Sequence, residues 1–231
     1  MRIGFDPLIS ETAQRLYGIN ALIELIYRAI PDVELQERDA LKEMAEREGW
    51  EYEDYRLEDQ FLDIKSHWLD RLSAYSVVVL LSSVVETQLL AYATRVGKRG
   101  NSAFEPKDLH GSVLEKARVY VKKVSGLDLT DNSRWKTLKD LQDIRDIIVH
   151  RAGKPGDDRA PQMQQMLSDY GKIGFSMDEN PYSFSKPAIR LSVHLCRYSA
   201  REVETFFKDL FQELGLRVNS GLWPNVQSGF P

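Results

Sequence analysis

The chain has 231 residues, 42% of them hydrophobic and 29% charged, with a net charge of −4. That is enough for one large domain or two small ones around a sizeable core, and the ordinary composition excludes fibrous and disordered classes. The acidic balance excludes a protein that coats nucleic acid non-specifically, though not a local basic patch, and a single cysteine, Cys196, excludes an intrachain disulfide and a cysteine-rich zinc site.

In chain order, Leu16, Ile19, Ile23, Ile26 and Ile30 recur at three- and four-residue spacing and predict a helix over 7–30. Pro31 either ends it or opens the next, a charged helix over 33–48 with a narrow stripe of Leu41, Met44 and Ala45 and a stop at Gly49. No basic start followed by an apolar run is present, so no signal peptide is expected. A long helix begins near Glu53 and continues to Val96. Its first half is amphipathic through Phe61, Ile64, Trp68 and Leu72, and its second half is apolar nearly all round, the mark of a central bundle helix. Ser82, Ser83, Glu86, Thr87 and Gln88 break the apolar run well short of the roughly 18 residues of a membrane span, so a buried core helix is expected there. The segment GKRGN, 97–101, predicts a loop.

A helix over 106–124 follows, with proline in its first turn and Ser125-Gly126 at its end. Asn132 or Ser133 can cap the next helix, which stops at Gly153. After a loop over 153–161 and a short helix over 162–170, the segments 173–177 and 188–192 pair as a small hairpin around an Asn-Pro turn. The last helix spans 193–214, with Leu195, Val203, Phe206, Phe207 and Leu210 inward. Beyond it, Trp223 and Phe230 either dock on the body or a partner, or fray with an irregular tail. The expected fold is all-α: an up-and-down helical bundle with a long central helix and a small β-hairpin insertion before the last helix. Residues 1–49 would form a helical extension packed on the bundle, 50–215 the bundle itself, and 216–231 the tail.

The segment LKDLQDIRDIIVHRAG, 138–153, carries the chemistry. On a helical wheel Leu141, Ile144 and Ile148 face the core, Arg145 lies at the edge of that stripe, and His150 falls on the far side beside Asp143 and Asp146. His150 is therefore not a core histidine; it is either a functional group or a solvated cation favoured by the helix dipole. At 100° per residue Arg145 and His150 stand roughly 140° apart. They meet only if the helix end is distorted, or if two copies bring their polar faces together across a two-fold axis.

This segment resembles the HEPN family, the higher eukaryote and prokaryote nucleotide-binding proteins. Its hallmark is an arginine, four to six residues, then a histidine on a bundle helix, with a polar residue, often Asn, after the arginine. Here the run is Arg145, Asp146, Ile147, Ile148, Val149, His150, followed by the similar His-Arg-x-Gly ending; position 146 carries Asp. The run SSVVETQL, 82–89, resembles the small-plus-acidic turn on the preceding bundle helix in several branches. The resemblance covers roughly 72–214. It implies a dimeric, metal-independent endoribonuclease of toxin or antiphage type that needs no cofactor; the lone Cys196 makes a reducing cytoplasm the expected location. Imidazole titrates near neutral pH, so His150 would move the protons of the 2′-OH and the leaving 5′-oxygen. Arg145 would hold the non-bridging oxygens, and Asp146 would orient His150 or raise its pKa. Cleavage would leave a 2′,3′-cyclic phosphate and a 5′-OH. Arg151, Lys154, Lys98 and Arg99 are the candidate RNA contacts; Lys122 and Lys123 more simply offset a helix dipole. The expected partners are RNA, a second copy through the 138–153 face, and an antitoxin or defence protein, with no membrane. The alternatives are a non-catalytic HEPN dimerisation or partner-binding module, and a helical scaffold in which the motif is chance. His67, His110, His150 and His194 show no metal-ligand spacing, there is no glycine-rich phosphate loop or GxSxG, and the Arg190–His194 pair reads as structural.

Overall fold

A computed structural model describes residues 6–178 and 187–216. Among them are six α-helices, α1 (Pro7–Glu48), α2 (Tyr52–Arg99), α3 (Val113–Ser125), α4 (Trp135–Arg151), α5 (Ala160–Tyr170) and α6 (Val193–Glu213), and two strands, β1 (Phe175–Asp178) and β2 (Ala188–Leu191). The chain is all-α, with a long helix α2 and a small antiparallel hairpin before the last helix, as the periodicity predicts. The Asn-Pro turn and the tail aromatics Trp223 and Phe230 lie outside the described residues.

Three boundaries differ from expectation. Pro31 neither ends nor opens a helix: α1 runs through it, at the cost of the N–H that would have bonded the carbonyl four residues back. The expected helix over 106–124 is split into a single 3₁₀ turn at Pro106–Asp108 and α3, where Ser112 is the N-cap and accepts from the Glu115 amide at 3.3 Å. The third is the GKRGN segment, whose first residues are the end of α2.

By internal packing the described residues form two compact units. The first comprises 6–20, 78–153 and 197–216. The apolar half of α2 is its centre, with Leu81, Leu89 and Tyr92 fully buried alongside Leu16, Leu138 and Phe206. Gln88, buried at the middle of α2, stands 2.8 Å from the Thr12 hydroxyl of α1, and Arg95 is paired with Asp6 at 2.6 Å. Ring contacts join Tyr92 to Phe211 at 6.4 Å and Trp135 to Phe206 at 6.1 Å, tying α2 and α4 to α6. At the end of α2, a Cβ on Gly97 would meet the Tyr120 hydroxyl at 2.1 Å and one on Gly100 would meet Val124 at 2.6 Å. These glycines let α3 approach the end of α2 closely.

The second unit comprises 21–77, 154–178 and 187–196. Arg38 of α1 bridges to Glu34 and, across to α2, to Asp59 and Asp63, while Ser66 donates to Glu34 at 2.7 Å. The hairpin pairs Phe175 with Leu191 and Asp178 with Ala188. Gly174 opens it in the left-handed region at φ +102°, where a Cβ would overlap the Ser192 hydroxyl. Tyr75 of α2 donates to the Ile189 carbonyl at 2.6 Å. Cys196 is buried, and burial pushes its thiol up to about 12.

Three measurements test this structure. Gly97→Ala costs about 1–3 kcal/mol in urea unfolding because the new methyl overpacks against Tyr120. Gly18→Ala, at an exposed helical site with nothing within 4 Å, gains up to about 1 kcal/mol. In native protein at pH 8, Cys196 reacts with a thiol reagent far more slowly than in the unfolded chain, since burial disfavours the thiolate.

Candidate functional site

The candidate site is the C-terminal half of α4, in the first unit. Leu138, Leu141, Ile144 and Ile147 are buried in steps of three, and Ile148 is only half-buried. The inward seam therefore runs one position ahead of the wheel at its end, and Ile147 takes the place expected of Ile148. Arg145 sits at the rim of this seam with its side chain 30% exposed, and its Nη1 donates to Asp146 Oδ1 at 2.8 Å. His150 is exposed on the last turn beside the 47%-exposed Val149, and no hydrogen bond joins it to another of the described residues.

The helix ends in a specific way. α4 stays α-helical through Arg151. Ala152 then turns into the left-handed region at φ +50°, and Gly153 follows at φ +79°. The Ala152 and Gly153 amides both reach the Ile147 carbonyl, the latter at 3.0 Å. Gly153 stops the helix as its position predicts; the left-handed turn begins one residue earlier, on an alanine that adopts it at some strain. Because the helix is regular up to this point, Arg145 and His150 remain roughly 140° apart on one chain. The arrangement brings Arg145 and Asp146 together and leaves His150 away from Arg145.

The surrounding bases divide. Arg151 and Lys98 are exposed, with Arg151 engaged in an interaction of its own. Arg99, expected in a loop, is the last residue of α2 and donates through Nη1 to the Leu214 carbonyl beyond α6. Its guanidinium thus closes a helix end in the first unit. Lys154 belongs to the second unit. Asp143 is half-buried and engaged.

The second unit holds a buried polar cluster without an assigned role. Arg71 is 5% exposed. It lies 4.8 Å from the centre of the Trp68 ring, donates through Nε to Tyr75 Oη at 3.3 Å, and places Nη1 3.9 Å from Asp178 Oδ2. That same carboxylate oxygen is 2.6 Å from His67 Nε2, at an angle that does not suit a linear hydrogen bond. The signal for this cluster in the sequence is the spacing of four that sets His67, Arg71 and Tyr75 on one line of α2.

No protein-family model matches the chain, and no curated protein or solved structure matches it.

The Arg145–Asp146 pair is about one-third exposed on both sides. Asp146→Asn therefore changes folding stability by less than about 1 kcal/mol in chemical denaturation, leaving a folded protein whose Arg145 has lost its neighbouring anion.

Proposed function

We propose that the chain is a metal-independent endoribonuclease whose site is completed when the α4 C-terminal faces of two copies meet. The observation that carries this is the exposed His150 on the last turn of α4, without a hydrogen-bond partner among the described residues, set one and a half turns beyond Arg145. An exposed imidazole on a helix end is open to a substrate, as a general acid or base must be. The regular helix leaves a two-fold pairing as the way for an arginine and a histidine to address one phosphate. The HEPN resemblance at these residues gives the same arrangement its chemistry.

In that reaction the 2′-oxygen of RNA attacks phosphorus, the P–O5′ bond breaks, and the 5′-oxygen leaves as an alcohol. One His150 accepts the 2′-OH proton and the other protonates the leaving oxygen. The two Arg145 guanidiniums stabilise the charge that builds on the non-bridging oxygens. Asp146 holds the arginine in the resting chain, and an incoming phosphate takes its place, since an exposed pair of this kind is weak. A toxin or antiphage effector of the cytoplasm, held by an antitoxin or defence partner, is the setting in which such an activity is tolerated.

A second reading is a HEPN module that dimerises or binds a partner without cleaving RNA. The Arg145–Asp146 ion pair favours it, because the arginine already has an anion.

Wild type, Arg145→Ala and His150→Ala distinguish the two. Under the nuclease reading, wild type cleaves RNA in the presence of a chelator to give 2′,3′-cyclic phosphate ends and spares DNA. Each variant loses on the order of a hundredfold or more, the usual scale for a general acid–base or oxyanion group. Three proteins equally inactive on RNA, but dimeric by sedimentation, leave only the binding module.

A further inference from the structure

The second unit contains a cavity of about 290 Å³ between α1, α2 and the β2–α6 junction. This volume lies just below the roughly 300–1,000 Å³ usual for small-molecule sites. Its floor is apolar and buried: Ile23, Ile30, Ala74 and Val77 are all below one-tenth exposed. Its mouth is marked by exposed Asp70 and Arg190.

One wall of this cavity is Arg71. A guanidinium offers five N–H donors, and burying it is costly unless they are used. Here a single 3.3 Å bond to Tyr75 is made, and the nearest carboxylate, Asp178, stands 3.9 Å away and is shared with His67. No other hydrogen bond to Arg71 is present among the described residues. Its terminal nitrogens are not sealed by protein atoms either. A buried cation with donors to spare therefore faces an apolar hollow, and a second cation, Arg190, stands at the entrance.

We propose that this cavity binds a small apolar monocarboxylate, its carboxylate on Arg71 and Arg190 and its hydrocarbon on Ile23, Ile30, Ala74 and Val77. The pairing answers both demands of the site. The carboxylate accepts from donors that otherwise lack partners, and the chain removes apolar surface from water on both sides. The proposal concerns the second unit and stands independently of the α4 reading.

Equilibrium dialysis of the full chain against radiolabelled octanoate tests it. Octanoate is expected to bind saturably at one site per chain, with excess unlabelled octanoate displacing it and octylamine failing to do so. Arg71→Gln weakens binding by on the order of tenfold or more, the usual loss for a hydrogen bond to a charged group. Ile26→Trp, at a half-buried wall of the cavity, blocks the hollow, and Arg190→Gln weakens binding several-fold; both keep the proposal testable if Arg71→Gln does not fold by circular dichroism. Arg145→Ala binds octanoate as wild type does. Absence of saturable binding, displacement by octylamine as effective as by octanoate, or unchanged affinity in both Ile26→Trp and Arg190→Gln overturns the proposal.

Discussion

Hiding the apolar half of α2 is the constraint on which the first unit rests. Leu81, Val85, Leu89, Tyr92, Ala93 and Val96 share one broad face of the helix and are all buried, each large side chain contributing about 1.5–3 kcal/mol when removed from water. Such a face needs neighbours along its whole length. Several of its polar side chains are matched, although among the described residues the buried Ser82 and Tyr92 hydroxyls are not. Gln88 meets Thr12, and on the outward line Ser83, Thr87 and Thr94 donate to carbonyls one turn back. The glycines at 97 and 100 belong to the same requirement, because α3 covers the end of α2 only if the backbones come close.

The second unit meets an opposite problem. Its half of α2 carries a buried cation, and the hairpin answers it only in part. Asp178, the last residue of β1, supplies the counter-charge to Arg71, and the Ile189 carbonyl of β2 accepts from Tyr75, which in turn accepts from Arg71. A chain of polar contacts thus runs from the helix into the sheet, and each member restrains the next. The hairpin register is pinned by Gly174, where only a residue without a Cβ lets the strand start beside Ser192.

Much of this was legible in the sequence, and the exceptions have physical reasons. Helical periodicity located α2, α4, α5 and α6 to within a few residues because each buries a continuous stripe. The hairpin was legible from two short β-rich runs. GKRGN misled because glycine has two uses, turning a chain and admitting a neighbour, and only the position of Tyr120 tells them apart. Pro31 misled because a 42-residue helix tolerates one missing hydrogen bond. For the candidate site, the wheel put His150 outside and Arg145 at the rim, where they are. The partner of Asp146 was not legible: whether a carboxylate turns to the arginine beside it or to the histidine one turn on is a rotamer choice, and the sequence holds no trace of it.

The way the two units share the chain bears on how it folds. In the first unit, α6 supplies Phe206, Phe207 and Phe211 to the core and Asp209 to Arg134, 75 residues earlier, while the Leu214 carbonyl meets Arg99 across 115 residues. In the second, Tyr75 reaches Ile189 across 114. Pairings of this span close large loops before they give anything back. Each unit therefore waits on the same stretch of chain, residues 188–213, to be finished. During synthesis the apolar half of α2 leaves the ribosome about a hundred residues ahead of the helix that covers it, and over that interval it is a natural substrate for chaperones.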